Sequence, residues 1–241
     1  MTVLAIETAT TVCAAAVVSD GKVRSEFTLS VPQVHSEKLM ALIHQALVAA
    51  PQRTETVDGV AVSIGPGSFT GLRIGLSVAK GLAYAWDKPL AAVPTLEALA
   101  FGTVRSNINV QNHVILPMID ARRNEVYAAA YRQTRGVLEE AFPARSASVE
   151  ELVAFVRDNG HILVTGDGSE KFSKTLMRQY PDGFPQIRIL AGEQAQCKAS
   201  AVGLIGERML LRGEVANLET LDPLYVKDFH TMVKTQHSTV Q

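Results

Sequence analysis

The 241-residue chain is 47% hydrophobic and 20% charged, with 17 glycines and 10 prolines, a composition that fits a sizeable core and excludes disordered and collagen-like classes. Lys plus Arg is 23 against Asp plus Glu 24, a net charge of −1, which excludes a global basic field as the grip on nucleic acid, and aromatics at 6% suit close backbone packing better than base stacking on an aromatic platform. Cys13 and Cys197 stand far apart without a metal or redox spacing, Glu7 interrupts the start where a leader would be apolar, and no apolar run has the ~18 residues a membrane span needs, so a cytoplasmic chain without membrane contact is expected.

In chain order, Thr2 to Thr8, Val12 to Ser19 and Lys22 to Leu29 predict three strands, the last two joined by Asp20-Gly21, a pair that accepts the positive φ of a tight hairpin. From Ser36 onward Leu39, Leu42, Ile43, Ala46 and Leu47 recur with helical period up to Pro51. Val57 to Ile64 predicts a buried strand, Phe69 to Ala85 a helix, Leu90 to Val93 a short strand and Leu96 to Val104 a helix.

The second half repeats the beginning of that order. His113 to Ile119, Glu125 to Arg132 and Val137 to Ala141 predict strands, and Ser148 with Glu151 forms a capping box before a helix from about Val149 to Asn159. His161 to Thr165 and Ile187 to Leu190 predict strands, with helices at Glu170 to Gln179 and Ala199 to Arg212. Two α/β halves of one β-β-β-α-β-α-β-α design are expected, at 1–105 and an abbreviated 106–228, with a polar tail at 229–241 that includes His230 and His237.

The densest motif runs from Ser63 through Gly65-Pro66-Gly67-Ser68-Phe69-Thr70-Gly71-Leu72-Arg73 to Gly75. A Gly-Pro-Gly turn between strand and helix offers N–H groups to a phosphate, or is a tight turn capped by Ser68 or Thr70. It lacks the Gly-Lys-Ser/Thr of a P-loop and the G-x-S-x-G of a nucleophile elbow. Gly71, Gly75 and Ala79 fall four apart and make a small-residue stripe, which suits either close packing on the sheet or a partner helix.

Glu7, at the end of the first strand, is read either as a group that positions a metal or water near a phosphate or as a solvated acid. His35 and His44, nine residues apart, lie on opposite sides of one helix and cannot share a metal. The loop from Asp120 through Arg122, Arg123 and Asn124 joins two strands and clusters charge, as an anion site or a solvated turn.

Three segments together resemble one family, TsaB, also called YeaZ: Leu4-Ala5-Ile6-Glu7-Thr8-Ala9-Thr10, Gly65 to Gly75 with Ala79-Lys80-Gly81-Leu82, and Ile119-Asp120-Ala121-Arg122 with Glu125-Val126-Tyr127. Gln33 to Glu37 and Pro223 to Lys227 also fit. The resemblance implies two related RNase H-like domains of actin/Hsp70/sugar-kinase architecture. It also implies a subunit of the bacterial machinery that makes threonylcarbamoyladenosine in tRNA, with TsaC supplying the adenylate intermediate. The catalytic relative TsaD carries a pair of metal histidines, and the matching positions here are Thr95 and Leu99. Neither supplies an imidazole nitrogen.

The resemblance therefore implies a scaffold with no cofactor, no metal and no catalytic residue. By that resemblance it would pair with TsaD through N-terminal helices, help TsaE dock and meet tRNA indirectly through the assembly, and an apolar helix face left uncovered without the partner predicts a homodimer in isolation. Carried onto this sequence, the pairing surface is His35, Leu39, Leu42, Ile43, Leu47, Gly71, Gly75 and Ala79. Glu7, Gly65, Gly67, Ser68, Arg73, Asp120 and Arg122 are the candidate functional loops. The competing reading is an independent ATP-dependent transferase or a metallopeptidase-like enzyme, resting on Glu7, the Gly-Pro-Gly turn and Gly166-Asp167-Gly168.

Overall fold

Alternating side chains on the first strand set the architecture. In β1 (Thr2–Glu7) Val3 and Ala5 face one side and Leu4 and Ile6 the other, and all four are fully buried, so both faces of the sheet must be covered. The computed structural model describes residues 1–31, 34–50, 57–106, 110, 113–134, 137–181, 183 and 186–226. Gln33, Pro51, Lys227 and the tail at 229–241, with His230 and His237, lie outside the described residues.

β1, β2 (Cys13–Ser19), β3 (Lys22–Leu29), β4 (Gly59–Gly65) and β5 (Leu90–Pro94) form a sheet of order β3-β2-β1-β4-β5, antiparallel at β1–β2 and β2–β3, parallel at β1–β4 and β4–β5. The second sheet repeats the scheme as β10-β9-β6-β7-β8, from β6 (Val114–Asp120), β7 (Glu125–Thr134), β8 (Val137–Ser148), β9 (Ile162–Thr165) and β10 (Ile187–Ile189). The β2–β3 turn takes the predicted conformation, with φ of 53° at Asp20 and 70° at Gly21.

Helices α1 (His35–Ala49) and α2 (Phe69–Trp86) cover one face of the first sheet, where Leu39, Leu42, Ile43 and Leu76 meet Leu4, Ile6, Cys13 and Val62. Helix α3 (Thr95–Arg105) and the last helix, α6 (Ala199–Leu211), cover the other, and their core continues into Ile115, Ile119 and Leu163 of the second sheet. Helices α4 (Val149–Asp158) and α5 (Ser169–Gln179) cover the outer face of that sheet.

Helix α6 follows the second sheet in sequence yet packs on the first, and β3 fixes where it starts. Glu26 of β3 accepts from the Ser200 N–H (2.9 Å) and Ser200 hydroxyl (2.8 Å), acting as an N-cap from a distant strand. Near its other end the buried Glu207 accepts from the N–H groups of Asp20 (2.8 Å) and Gly21 (2.9 Å).

Three features differ from the sequence expectations. β8 reaches Ser148 rather than Ala141, because an edge strand with an irregular register tolerates Pro143. The capping box is half made: Ser148 accepts from the Glu151 N–H (3.2 Å), while the Glu151 carboxylate pairs with Arg145. A 3-10 turn at Gly192–Ala195 had no signal.

Candidate functional site

Three N–H groups at and after the Gly-Pro-Gly turn are spent inside the chain. The Gly65 N–H donates to Thr95 Oγ1 (3.0 Å), the Ser68 N–H to the Ala9 carbonyl (2.7 Å) and the Gly71 N–H to Ser68 Oγ (3.3 Å), so Ser68 is the N-cap and the phosphate reading of these groups is corrected. The C-terminal segment closes over the turn: the Leu224 N–H donates to the Ile64 carbonyl (2.7 Å). The Tyr225 ring lies 5.4 Å from that of Phe69, and Arg73 donates to the Tyr225 hydroxyl (3.1 Å) with its guanidinium 4.0 Å from the Phe69 centroid.

Glu7 is neither solvated nor turned to a ligand. It is fully buried and accepts from the Ala9 N–H (2.7 Å) and the Cys197 thiol (3.3 Å), which ties the end of β1 to the segment that leads into α6. Burial pushes the Glu7 carboxyl up from its ordinary pKa, against the pull of its hydrogen bonds. Burial, reinforced by the charge of Glu7, also raises the Cys197 thiol well above its ordinary value, so it is not an activated nucleophile.

Beside this clasp a cleft of about 510 Å³ opens between the Thr10–Val12 turn and the start of α5, bordered by Leu99, Asp167, Lys174 and Cys197. Asp167 accepts from the Asp120 N–H (2.9 Å), and burial raises its pKa. Lys174 is paired with Glu170 (2.6 Å). No group of three or more His, Cys, Asp or Glu that could hold a metal occurs among the described residues. Asp120 and Arg122 share the β6–β7 tip, where the Asp120 carboxylate accepts from the Arg122 N–H (2.7 Å).

The expected pairing residues need correction. His35, Leu39, Leu42, Ile43, Gly71, Gly75 and Ala79 are buried within the chain, and Leu47 is half-buried. His35 places Nε2 3.1 Å from the Val12 carbonyl. Gly71 and Gly75 face Thr8: its carbonyl and hydroxyl occupy the space their β-carbons would need, and its Oγ1 donates to the Gly71 carbonyl (2.8 Å).

The outward faces of the same helices carry different residues. On α1 Met40 is 53% and Val48 70% exposed, and His44 is exposed beside them; on α2 Tyr84 is 83% exposed. Gly81 is exposed in mid-helix, and an added β-carbon would meet nothing within 4 Å. A glycine off the buried stripe is the signal that marks this face in the sequence.

Two sheets of one topology, with helices on both faces and a cleft between their turns, define the actin/Hsp70/sugar-kinase class. Residues 29–233 match the family model described as "TsaD: tRNA N6-adenosine threonylcarbamoyltransferase". "tRNA threonylcarbamoyladenosine biosynthesis protein TsaB" of Escherichia coli K12 is 28% identical over 232 residues, 95% of each chain. The protein of that name in Bacillus subtilis 168 is 32% identical over 158 residues, 66% of this chain and 67% of the relative. The solved structure "YeaZ from Pseudomonas aeruginosa" superposes with a TM-score of 0.76 at 28% identity, over 93% of this chain and 99% of that one. The chain belongs to the TsaB (YeaZ) family.

Proposed function

We propose that this chain is a non-catalytic subunit of the cytoplasmic machinery that installs threonylcarbamoyladenosine in tRNA, and that it binds and activates a TsaD-type catalytic subunit through the outward faces of α1 and α2. The names of its relatives support the pathway. The observation that carries the scaffold reading is the asymmetry of α2. Its inward glycines are filled by Thr8, while Gly81 stands open one helical turn from the exposed Tyr84, and α1 exposes Met40 and Val48. Glycine within a helix costs about 1 kcal/mol relative to alanine, and no contact among the described residues offsets that at position 81. A partner helix that approaches closely would use the missing side chain.

The residues at the positions of expected chemistry favour the same reading. Thr95 is buried as an acceptor for Gly65, Leu99 is in the core and Glu7 is held by Ala9 and Cys197. In this proposal the paired subunits also form the platform on which the ATPase TsaE docks. Reconstitution tests it: tRNA modification by TsaC, TsaD and TsaE is expected only when this chain is added. The chain alone is expected to turn over no ATP and cleave no protein; either activity would favour the enzyme reading.

A further inference from the structure

The tip between β6 and β7 holds two arginines in a conformation that arginine disfavours. Arg122 and Arg123 have φ of 65° and 50°, two successive left-handed residues, a demand the β2–β3 turn of the first sheet meets with Asp20 and Gly21. The tip is clamped. Lys171 bonds to the Asp120 carboxylate and donates to the Arg123 carbonyl (2.7 Å), and the Asn124 amide donates to both oxygens of Glu150 (2.9 and 2.8 Å). Around it the charges are paired: Lys171 with Asp120, Lys174 with Glu170, Arg145 with Glu151 and Arg178 with Glu150.

Arg122 and Arg123 are exposed, and neither enters an ion pair among the described residues. A strained, rigidly held turn thus points two guanidiniums at solvent, where a smaller turn residue would be better tolerated. Guanidinium groups match phosphate oxygens in a planar fork. The pair protrudes from a hairpin instead of lining the cleft, which suits a polyanion that passes over the surface better than an enclosed small ligand.

We propose that Arg122 and Arg123 form a contact for the phosphate backbone of tRNA. The inference rests on the reading above, that the chain works within an assembly that modifies tRNA. The chain's net charge of −1 then has a local exception: two positive groups that position the substrate without reading its sequence.

The test uses the reconstituted assembly with an unmodified tRNA transcript, titrated at several salt concentrations. The double variant Arg122→Asn/Arg123→Gly supplies residues that the turn prefers, and Arg122→Lys/Arg123→Lys keeps the charge. For Asn/Gly the expected results are a melting temperature raised by about 2–4 °C, unchanged affinity for the catalytic subunit and tRNA affinity reduced about tenfold. The slope of log affinity against log salt should fall by about 1.4–1.8, the share of two phosphate contacts, and the Lys/Lys variant should keep most of the slope. Unchanged tRNA affinity and slope in the Asn/Gly variant overturn the inference and leave the subunit reading intact. Weakened binding to the protein partner instead assigns the tip to an acidic protein surface and also overturns it. A wild-type chain that forms no assembly overturns the underlying reading together with this inference.

Discussion

The hydroxyl of Thr8 occupies the space that a β-carbon on Gly75 would need. This contact between the turn after β1 and the inward face of α2 explains why the stripe of Gly71, Gly75 and Ala79 is small. Closeness is required inside the chain, so the pairing proposed above is assigned to the opposite face.

Substitution at position 75 is therefore a folding lesion. Gly75→Ala should destabilise the isolated chain by about 1–3 kcal/mol, because Thr8 belongs to a buried, hydrogen-bonded turn that yields little. A thermal melt should fall by about 2–10 °C. An unchanged melting temperature would show that the turn can move and that the stripe is not needed for packing.

Glu207 should matter for the same architecture at the opposite face of the sheet. It is 3% exposed and satisfies the N–H groups of Asp20 and Gly21. Glu207→Ala leaves both without their carboxylate acceptor, at a cost of about 2–3 kcal/mol. Hydrogen exchange should accelerate at residues 20 and 21 before it does so in β1. Equal protection in the variant would contradict the assigned role.

Glu7 gives a pH dependence whose sign follows from burial. Its folded pKa lies above the ordinary value of 4.5, so its contribution to stability is complete below 4.5 and is lost as pH rises through the raised folded value. Glu7→Gln removes that titration and keeps an oxygen to accept from the Ala9 N–H. Urea denaturation at pH 5 and pH 8 should find the stability of the variant relative to wild type greater at pH 8. A relative stability of the variant that is unchanged or lower at pH 8 would mean that burial does not raise the Glu7 pKa.

Self-association should follow from the open helix face. Met40 and Val48 of α1 and Tyr84 of α2 expose apolar surface, and a second copy of this helix pair is a ready partner. Sedimentation of the isolated chain should give a concentration-dependent dimer, and Val48→Glu should return it to monomer with a melting temperature changed by less than about 2 °C. A monomer at all concentrations would contradict this.

Much of the fold was legible because its signals are local. Asp20-Gly21 demanded a hairpin, Leu39 to Leu47 had helical period, and Ser148 had the chemistry of a cap, since each depends on residues within a turn or two. What was hidden depends on distant pairs. Glu7 gives no local sign of Cys197, which is 190 residues away. Periodicity identifies the Gly71–Gly75 stripe but not that Thr8 fills it, and α6 carries no mark that it docks on the first sheet. The site was legible as a helix pair and not as a face, because a small-residue stripe serves an internal contact as well as an external one. Gly81 was the informative residue, because a β-carbon there would meet nothing within 4 Å among the described residues.

The central claim, that the outward face of α2 holds the catalytic partner, is tested most directly at Gly81. The measurement is the affinity of Gly81→Leu for the TsaD-type subunit by calorimetry, beside its melting temperature as an isolated chain. With open space at this position, the side chain should leave the fold as stable as before or raise its stability by about 0.5–1 kcal/mol, while weakening the complex at least about tenfold. Wild-type affinity in this variant, with the fold intact, would contradict the account.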